Sequence, residues 1–270
     1  MIRREASDAP TAGAQWILIS QVDHAHLSGA LAEHWGAGGV QPLVARDELL
    51  WAITHHDDGW ADWEREPHVE PRLARPRAFT EMDLPQSLEI WTRSIAAAAE
   101  RGSLAGYVVA GHFCALLRRF DFNWRRDERN VADGERFLAT FENLMDGCLQ
   151  AWLADDPLRH TLPDARLALA QLQLFDALSL WFCCARETAA EAMETPAGAT
   201  ITLTPRPQPD RGQPQLVEFS PWPFTCGPMN LEIPARAVPV RRYESRADLA
   251  AIPLQAVQLR WRLQPPPVKS

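Results

Sequence analysis

Apolar residues recur along the chain at two different spacings, and the change from one to the other divides it. From Gln21 to Trp35 they return every three or four positions and Gly36 follows as a stop, which predicts an amphipathic helix. A second helix is expected over 46–57, RDELLWAITHHD, with acidic residues in its first turn and Gly59 just past its end. Further helices are expected over about 86–101, 104–120, 131–154 and 164–186. Two stretches inside them, LAGYVVAGHFCALLRRF and LQLFDALSLWFCC, are apolar nearly all round and belong at the centre of a bundle. Residues 14–20, AQWILIS, form a short run with the length of a strand, and residues 1–13 read as a disordered or extended N-terminus. Residues 60–85 are rich in Pro, Arg and acidic groups and read as a long loop, a kind of segment that often carries function.

After about residue 195 the period shortens. ATITLTP, QLVEFS, NLEIPARAV and AVQLRWRL alternate apolar with polar positions between Pro- and Gly-rich connections, the pattern of antiparallel strands. The expected fold is therefore mainly α: a helical domain over 14–195, with a small antiparallel β-rich C-terminal region over 196–270 packed on it.

Composition narrows the chemistry. The chain has 270 residues and a net charge of −8, which argues against nucleic acid or an anionic membrane as its main partner. Lys269 is the only lysine, so there is neither an internal Schiff-base lysine nor a Walker-type phosphate loop. Serine-hydrolase chemistry lacks its GxSxG turn. Cys114, Cys148, Cys183, Cys184 and Cys226 form no CxxC pair, and most lie in apolar helical stretches, which suggests a reduced compartment. The first twenty residues lack the apolar core of a signal peptide, and no uncharged apolar stretch reaches a membrane-spanning length. A cytoplasmic location is expected.

Polar residues in apolar surroundings then stand out. Asp176 sits inside LQLFDALSLWFC, where an unpaired carboxylate costs several kcal/mol or takes up a proton, so it needs a cation, a metal or a set of donors. His112 sits similarly in VVAGHFCALL. A lone histidine on an apolar helix is more often a satisfied core residue, but here a second buried polar group asks for a partner. HHDDGW, residues 55–60, puts carboxylates at a helix C-terminus, against the macrodipole, where a bound cation would reverse the sign. His56 and Asp57 project about 100° apart yet can reach one ion sitting off the helix end. In QVDHAHLSG, His24 shares the inward face with Leu27, Leu31 and Trp35, whereas His26 points elsewhere. His24, His56, Asp57, His112 and Asp176 thus form a candidate ligand set whose chemistry suits Zn, Fe, Mn or Ni, as one ion or two. Gln21, Asp23 and His55 are the expected orienting groups around it.

These residues resemble two families. The order His, His-Asp doublet, His, late Asp is similar to the HD superfamily of metal-dependent phosphohydrolases. QVDHAHLSG, HHDDGW, GHFCALL, LQLFDALSL and the late PWPF, running from about residue 15 to the end, resemble the family of domain of unknown function (DUF) 3891. The HD resemblance implies an HD-like helical bundle and hydrolysis of a small phosphate ester or nucleotide, with His24, His56, Asp57 and Asp176 as ligands and His112 as an additional one. On that reading Asp58 is the general base. Arg65, Arg72, Arg75 and Arg77 grip phosphate, while Trp60 stacks on a base or closes the core. Two alternatives stand beside it. One is a di-iron oxygenase with similar ligands, and the other is a non-catalytic binding or structural module in which the polar groups bond one another.

Overall fold

The structure, a computed structural model, describes residues 1–4, 14–119, 127–184, 189–207 and 213–267. Most of the expected N-terminal extension, residues 5–13, lies outside them, as do Phe120 and residues 185–186 at two expected helix ends.

Six long helices stand close to where the apolar periodicity places them. Helix α1 (Gln21–Glu33) starts at Ser20, whose hydroxyl accepts from the Asp23 amide, satisfying one of the orphan donors of a helix start. Helix α2 spans Arg46–His55, and α3 (Leu84–Arg101) is capped by Asp83 with Pro85 in its first turn. Helix α4 follows at once over Ser103–Arg119. Helix α5 (Glu128–Asp155) is capped by Asp127, and α6 covers Leu162–Cys184. A short helix, α7, spans Arg246–Ala250. Helix α2 ends sooner than its periodicity suggests, because the chain turns at His56 into a tight helical turn over Asp58–Trp60.

The fold class departs from the expectation. About half of the chain is helical, but a curled seven-stranded mixed sheet forms the other layer, so the fold is not a mainly α HD-like bundle with a small β region. The strands are β1 (Ile2–Arg4), β2 (Gln15–Ile19), β5 (Glu191–Glu194), β6 (Thr200–Pro205), β7 (Gln215–Ser220), β8 (Met229–Pro239) and β9 (Gln255–Gln264), in the order β1-β2-β8-β9-β7-β6-β5. Neighbours are antiparallel except β7 and β9, which run parallel with Gln215 opposite Trp261. The N-terminal strands join the sheet through β2 and β8, with Gln15 opposite Pro239. The sheet is therefore not a C-terminal addition, since residues from both ends of the chain build it. A separate two-stranded ribbon, β3 (Val69–Glu70) with β4 (Arg75–Pro76), lies in the segment between α2 and α3.

One apolar core joins the two layers. Val108, Val109 and Phe113 of α4 and Phe175, Leu178 and Phe182 of α6 are fully buried in it, as are Leu203, Phe219 and Trp261 of the sheet. The Phe182 ring packs edge-on against Trp261 with centroids 5.4 Å apart. Trp35, at the end of α1, packs on Phe175 and on Phe224, which gives the PWPF segment a structural place beside α6. Helix α6 is long and apolar enough by length and composition to cross a membrane, but it is largely enclosed by the rest of the fold. All five cysteines are free.

Candidate metal centre

Four elements deliver imidazoles and carboxylates to one buried point. His24 comes from α1, His56 and Asp57 from the end of α2, His112 from the middle of α4 and Asp176 from the middle of α6. His24, His56, Asp57 and His112 are buried. His24 Nε2 lies 3.0 Å from Asp176 Oδ1 and 3.8 Å from Asp57 Oδ2. His56 Nε2 lies 3.4 Å from Asp176 Oδ1 and 3.7 Å from Asp57 Oδ2. His56 ring contacts extend the cluster to His112, with centroids 5.4 Å apart. His24, His56 and Asp57 form one group able to hold a metal ion, and His56, His112 and Asp176 form another, with His56 common to both.

These distances discriminate between two uses of the groups. Metal–ligand bonds of about 2.0–2.2 Å set neighbouring donors about 3.0–3.6 Å apart around one ion. Three of the four separations above exceed a good hydrogen bond, and all lie close to that ligand-edge range. The approach of His56 Nε2 to Asp176 has an ion-pair distance without hydrogen-bond alignment, so this buried nitrogen has no hydrogen-bond partner among the described residues. The Nδ1 of His112 is likewise buried and unpartnered. Unpaired buried nitrogens are expensive in a closed polar network and are what a ligand set awaiting a cation presents.

Two of the three imidazoles, His56 and His24, are fixed from behind. His56 Nδ1 is 2.8 Å from the Ile53 carbonyl, which must accept, so Nδ1 carries a proton, and once the ring gives up its second proton the Nε2 lone pair faces the centre. His24 Nδ1 lies 2.6 Å from Ser179 Oγ, and Ser179 Oγ lies 2.7 Å from Ser28 Oγ. Ser28 donates to the His24 carbonyl. This closed relay permits Nδ1–H of His24 to donate to Ser179, which turns its Nε2 lone pair toward the centre as well. The two serines were not singled out from the sequence. Their spacing was the available signal, because Ser28 stands one turn from His24 and Ser179 one turn from Asp176.

Charge within the cluster is divided unequally. Burial opposes protonation of His56, but Asp57 and Asp176 outweigh it and raise its pKa to about 9. Burial holds His112 down to about 4, so it is neutral at pH 7. Burial pushes Asp57 up, whereas the surrounding imidazoles, His112 first, keep Asp176 well below the usual carboxylate range despite its burial.

A cavity of about 610 Å³ opens onto His24, Asp57, His112 and Asp176. Trp60, Phe79, Trp91 and Phe113 supply an aromatic part of its wall. Three polar groups of its lining residues have no hydrogen-bond partners among the described residues. Two are the buried Oε1 of Gln21 and Nε1 of Trp60, and the third is the exposed guanidinium of Arg72. Gln21 is thus a cavity residue rather than a support for an imidazole, and its backbone N–H donates to Glu64 Oε2.

Other expected site residues lie elsewhere. Asp23 bonds Ser20 at the start of α1 and touches no imidazole of the cluster. His55 and Asp58 turn away from the cavity and bond each other, with Nδ1 to Oδ2 at 3.0 Å. Of the four arginines, only Arg72 lines the cavity. Arg65 pairs with Asp62 at the surface, Arg75 with Glu81, and Arg77 with Glu70 and Gln86. Opposite charges supplied by the same acidic loop had already claimed them.

No curated protein and no solved structure matches the chain. Residues 1–240 match the family model described as Protein of unknown function (DUF3891), and the chain belongs to that family.

Proposed function

We propose that this protein is a cytoplasmic metal-dependent phosphohydrolase that acts on a small phosphate ester with an apolar or aromatic organic part. One observation carries the reading: donor atoms from α1, the end of α2 and α6 stand at ligand-edge distances around a buried point, with His112 of α4 beside them, at the end of a cavity partly lined by aromatic rings. The order of donors along the chain, with its contiguous His-Asp doublet, is the part of the HD resemblance that supports hydrolysis rather than binding alone.

Each residue then has a distinct task. His24, His56, Asp57 and Asp176 hold a divalent transition ion, with His112 beside them. Such an ion polarises a phosphoryl oxygen and lowers the pKa of a water molecule. Arg72 receives the phosphate through its planar guanidinium. Trp60, Phe79 and Trp91 enclose the organic part and exclude water, and the Trp60 indole N–H and Gln21 Oε1 orient it by hydrogen bonds. Asp58 stands outside the cavity wall, so the part assigned to it as a proton acceptor has no geometric support.

Elemental analysis of purified protein, followed by assay of a panel of phosphate monoesters and diesters with and without chelator, tests the reading. Stoichiometric Fe, Mn, Zn or Ni with chelator-sensitive release of phosphate is expected. Metal-free protein that neither takes up divalent ions nor gains thermal stability from them would overturn it.

A further inference from the structure

The run His55-His56-Asp57-Asp58 divides into two pairs that face opposite ways. The inner pair, His56 and Asp57, is buried at the centre described above. The outer pair, His55 and Asp58, is half-buried and meets His26, an exposed residue of α1. One nitrogen from each of these two imidazoles and one carboxylate oxygen lie within 4.8 Å of one another. The two imidazole rings meet edge to face with centroids 5.9 Å apart. Helix α1 and the turn after α2 therefore converge twice, through His24 and the inner pair on one side and through His26 and the outer pair on the other.

Packing holds the outer group in place. The His55 ring lies flat on Trp51, with centroids 4.6 Å apart and planes 25° from parallel. Its Nδ1 is bonded to Asp58, which leaves Nε2 free of that contact. His26 has no hydrogen-bond partner among the described residues. Two imidazoles thus share a single carboxylate that hydrogen-bonds only one of them. A divalent ion satisfies all three, and three protein ligands with the remaining positions open to water make a known form of transition-metal site.

We propose that His26, His55 and Asp58 form a second, solvent-open site for a borderline transition ion such as Zn(II) or Ni(II). An ion there ties α1 to the turn that presents His56 and Asp57. The site stands independently of the hydrolase reading, since it uses none of the inner ligands.

The test is equilibrium dialysis of the untagged, chelator-stripped chain against excess Zn(II), followed by elemental analysis before and after brief exposure to chelator. Wild type is expected to bind two equivalents, of which the solvent-open one is removed quickly. His26→Ala, an exposed change that leaves the fold intact, should lose that labile equivalent and keep the slow one. Asp58→Asn should weaken the labile equivalent at least about tenfold while preserving a hydrogen bond to His55. The variant His56→Ala with Asp57→Ala should show the reverse pattern. A single wild-type equivalent lost in His26→Ala would support the outer site while counting against the inner one. Uptake that is the same in wild type and His26→Ala, whatever its amount, would overturn the proposal.

Discussion

His24 Nε2 and Asp176 Oδ1 stand 3.0 Å apart although 152 residues separate them. The contact joins α1 to α6, and a further 3.4 Å away lies His56 Nε2 at the end of α2. Asp176 therefore links two imidazoles, a task for which Asn has the right shape but not the charge. Asp176→Asn should fold and should lose metal affinity by more than about a hundredfold, since changes outside the ligand shell already cost about 10–100-fold. Zn(II) titration against a competing chelator checks this, and wild-type affinity in the variant would remove Asp176 from the ligand set.

The relay behind His24 makes a separate prediction. Ser179 is buried, and its hydroxyl meets His24 Nδ1 at 2.6 Å. Removing it leaves the ring free to adopt the tautomer with its proton on Nε2, which cannot ligate. Ser179→Ala should weaken metal binding by about 10–100-fold. Its effect on the melting temperature of chelated protein should be small, because only one hydroxyl leaves a packed site. Loss of stability without loss of affinity would reduce Ser179 to a packing residue.

The pKa shifts fix the sign of a pH dependence. His56 is raised from 6.5 to about 9 in the folded chain. Its stabilising contribution is thus fully present below pH 6.5 and is lost as pH rises toward 9. His112 is lowered to about 4, so folding disfavours its protonation and stability falls as pH drops from 6.5 toward 4. Chelated protein should therefore melt at its highest temperature near pH 6.5, with a decline on both sides. A bound ion requires unprotonated imidazole, so the stabilisation by Zn(II) should grow with pH over the same alkaline range. Melting curves of chelated and loaded protein between about pH 5 and 9 decide the matter, and parallel profiles would place the ion elsewhere.

The sequence carried some of this arrangement and not the rest, for physical reasons. Helical periodicity is local, so α1 to α6 could be placed from apolar spacing alone. The same spacing put His24 on the inward face and His26 on another, as the structure has them. Asp176 and His112 were conspicuous because apolar helices rarely carry them without a partner. The sheet was underestimated because its pairing is not local. Ile2–Arg4 is too short to announce a strand, and Gln15 finds Pro239 only when the fold closes. Within HHDDGW the sequence singles out His56 and Asp57 as ligands but assigns His55 and Asp58 to the same centre, and only the turn at His56 sends that second pair outward. The arginines failed as a group for a similar reason: Glu70, Glu81 and Asp62 lie in the same stretch and neutralise three of them.

Arg72 should consequently behave unlike its neighbours. If the cavity takes a phosphate ester, Arg72→Ala should raise KM or lower kcat/KM by about tenfold or more, as loss of a charge-assisted contact does, with little change in melting temperature. Arg75→Ala should instead act on stability. The Arg75 partner Glu81, whose ionisation is opposed by burial, is held at a pKa of about 2 by Arg3, the Ala78 amide and Arg75 together. Kinetics of both variants on the best ester from the substrate panel separate the two outcomes. Equal effects on activity would deny Arg72 a particular role.

Gly59 is the hinge on which the position of Asp57 depends. A Cβ added there would lie 2.3 Å from the Ile90 carbonyl oxygen and 2.6 Å from the Ser94 nitrogen, both backbone atoms of α3. The Gly59 amide also donates to Ser94 Oγ at 3.0 Å, so the turn is docked flush on that helix. Neither clashing atom can swing aside, and accommodating a methyl group means lifting the turn, with Asp57 two residues away. Gly59→Ala should cost about 1–3 kcal/mol, the usual penalty of overpacking, and should lower metal affinity as well. Gly147→Ala is the matched control. Gly147 lies on the exposed side of α5, where an added Cβ meets nothing within 4 Å. That change should stabilise by up to about 1 kcal/mol through helix propensity and leave metal binding unchanged. Urea midpoints and Zn(II) affinities of the two variants provide the comparison. A Gly59→Ala protein with wild-type values for both would mean that the turn has freedom to move and that α3 does not set where Asp57 stands.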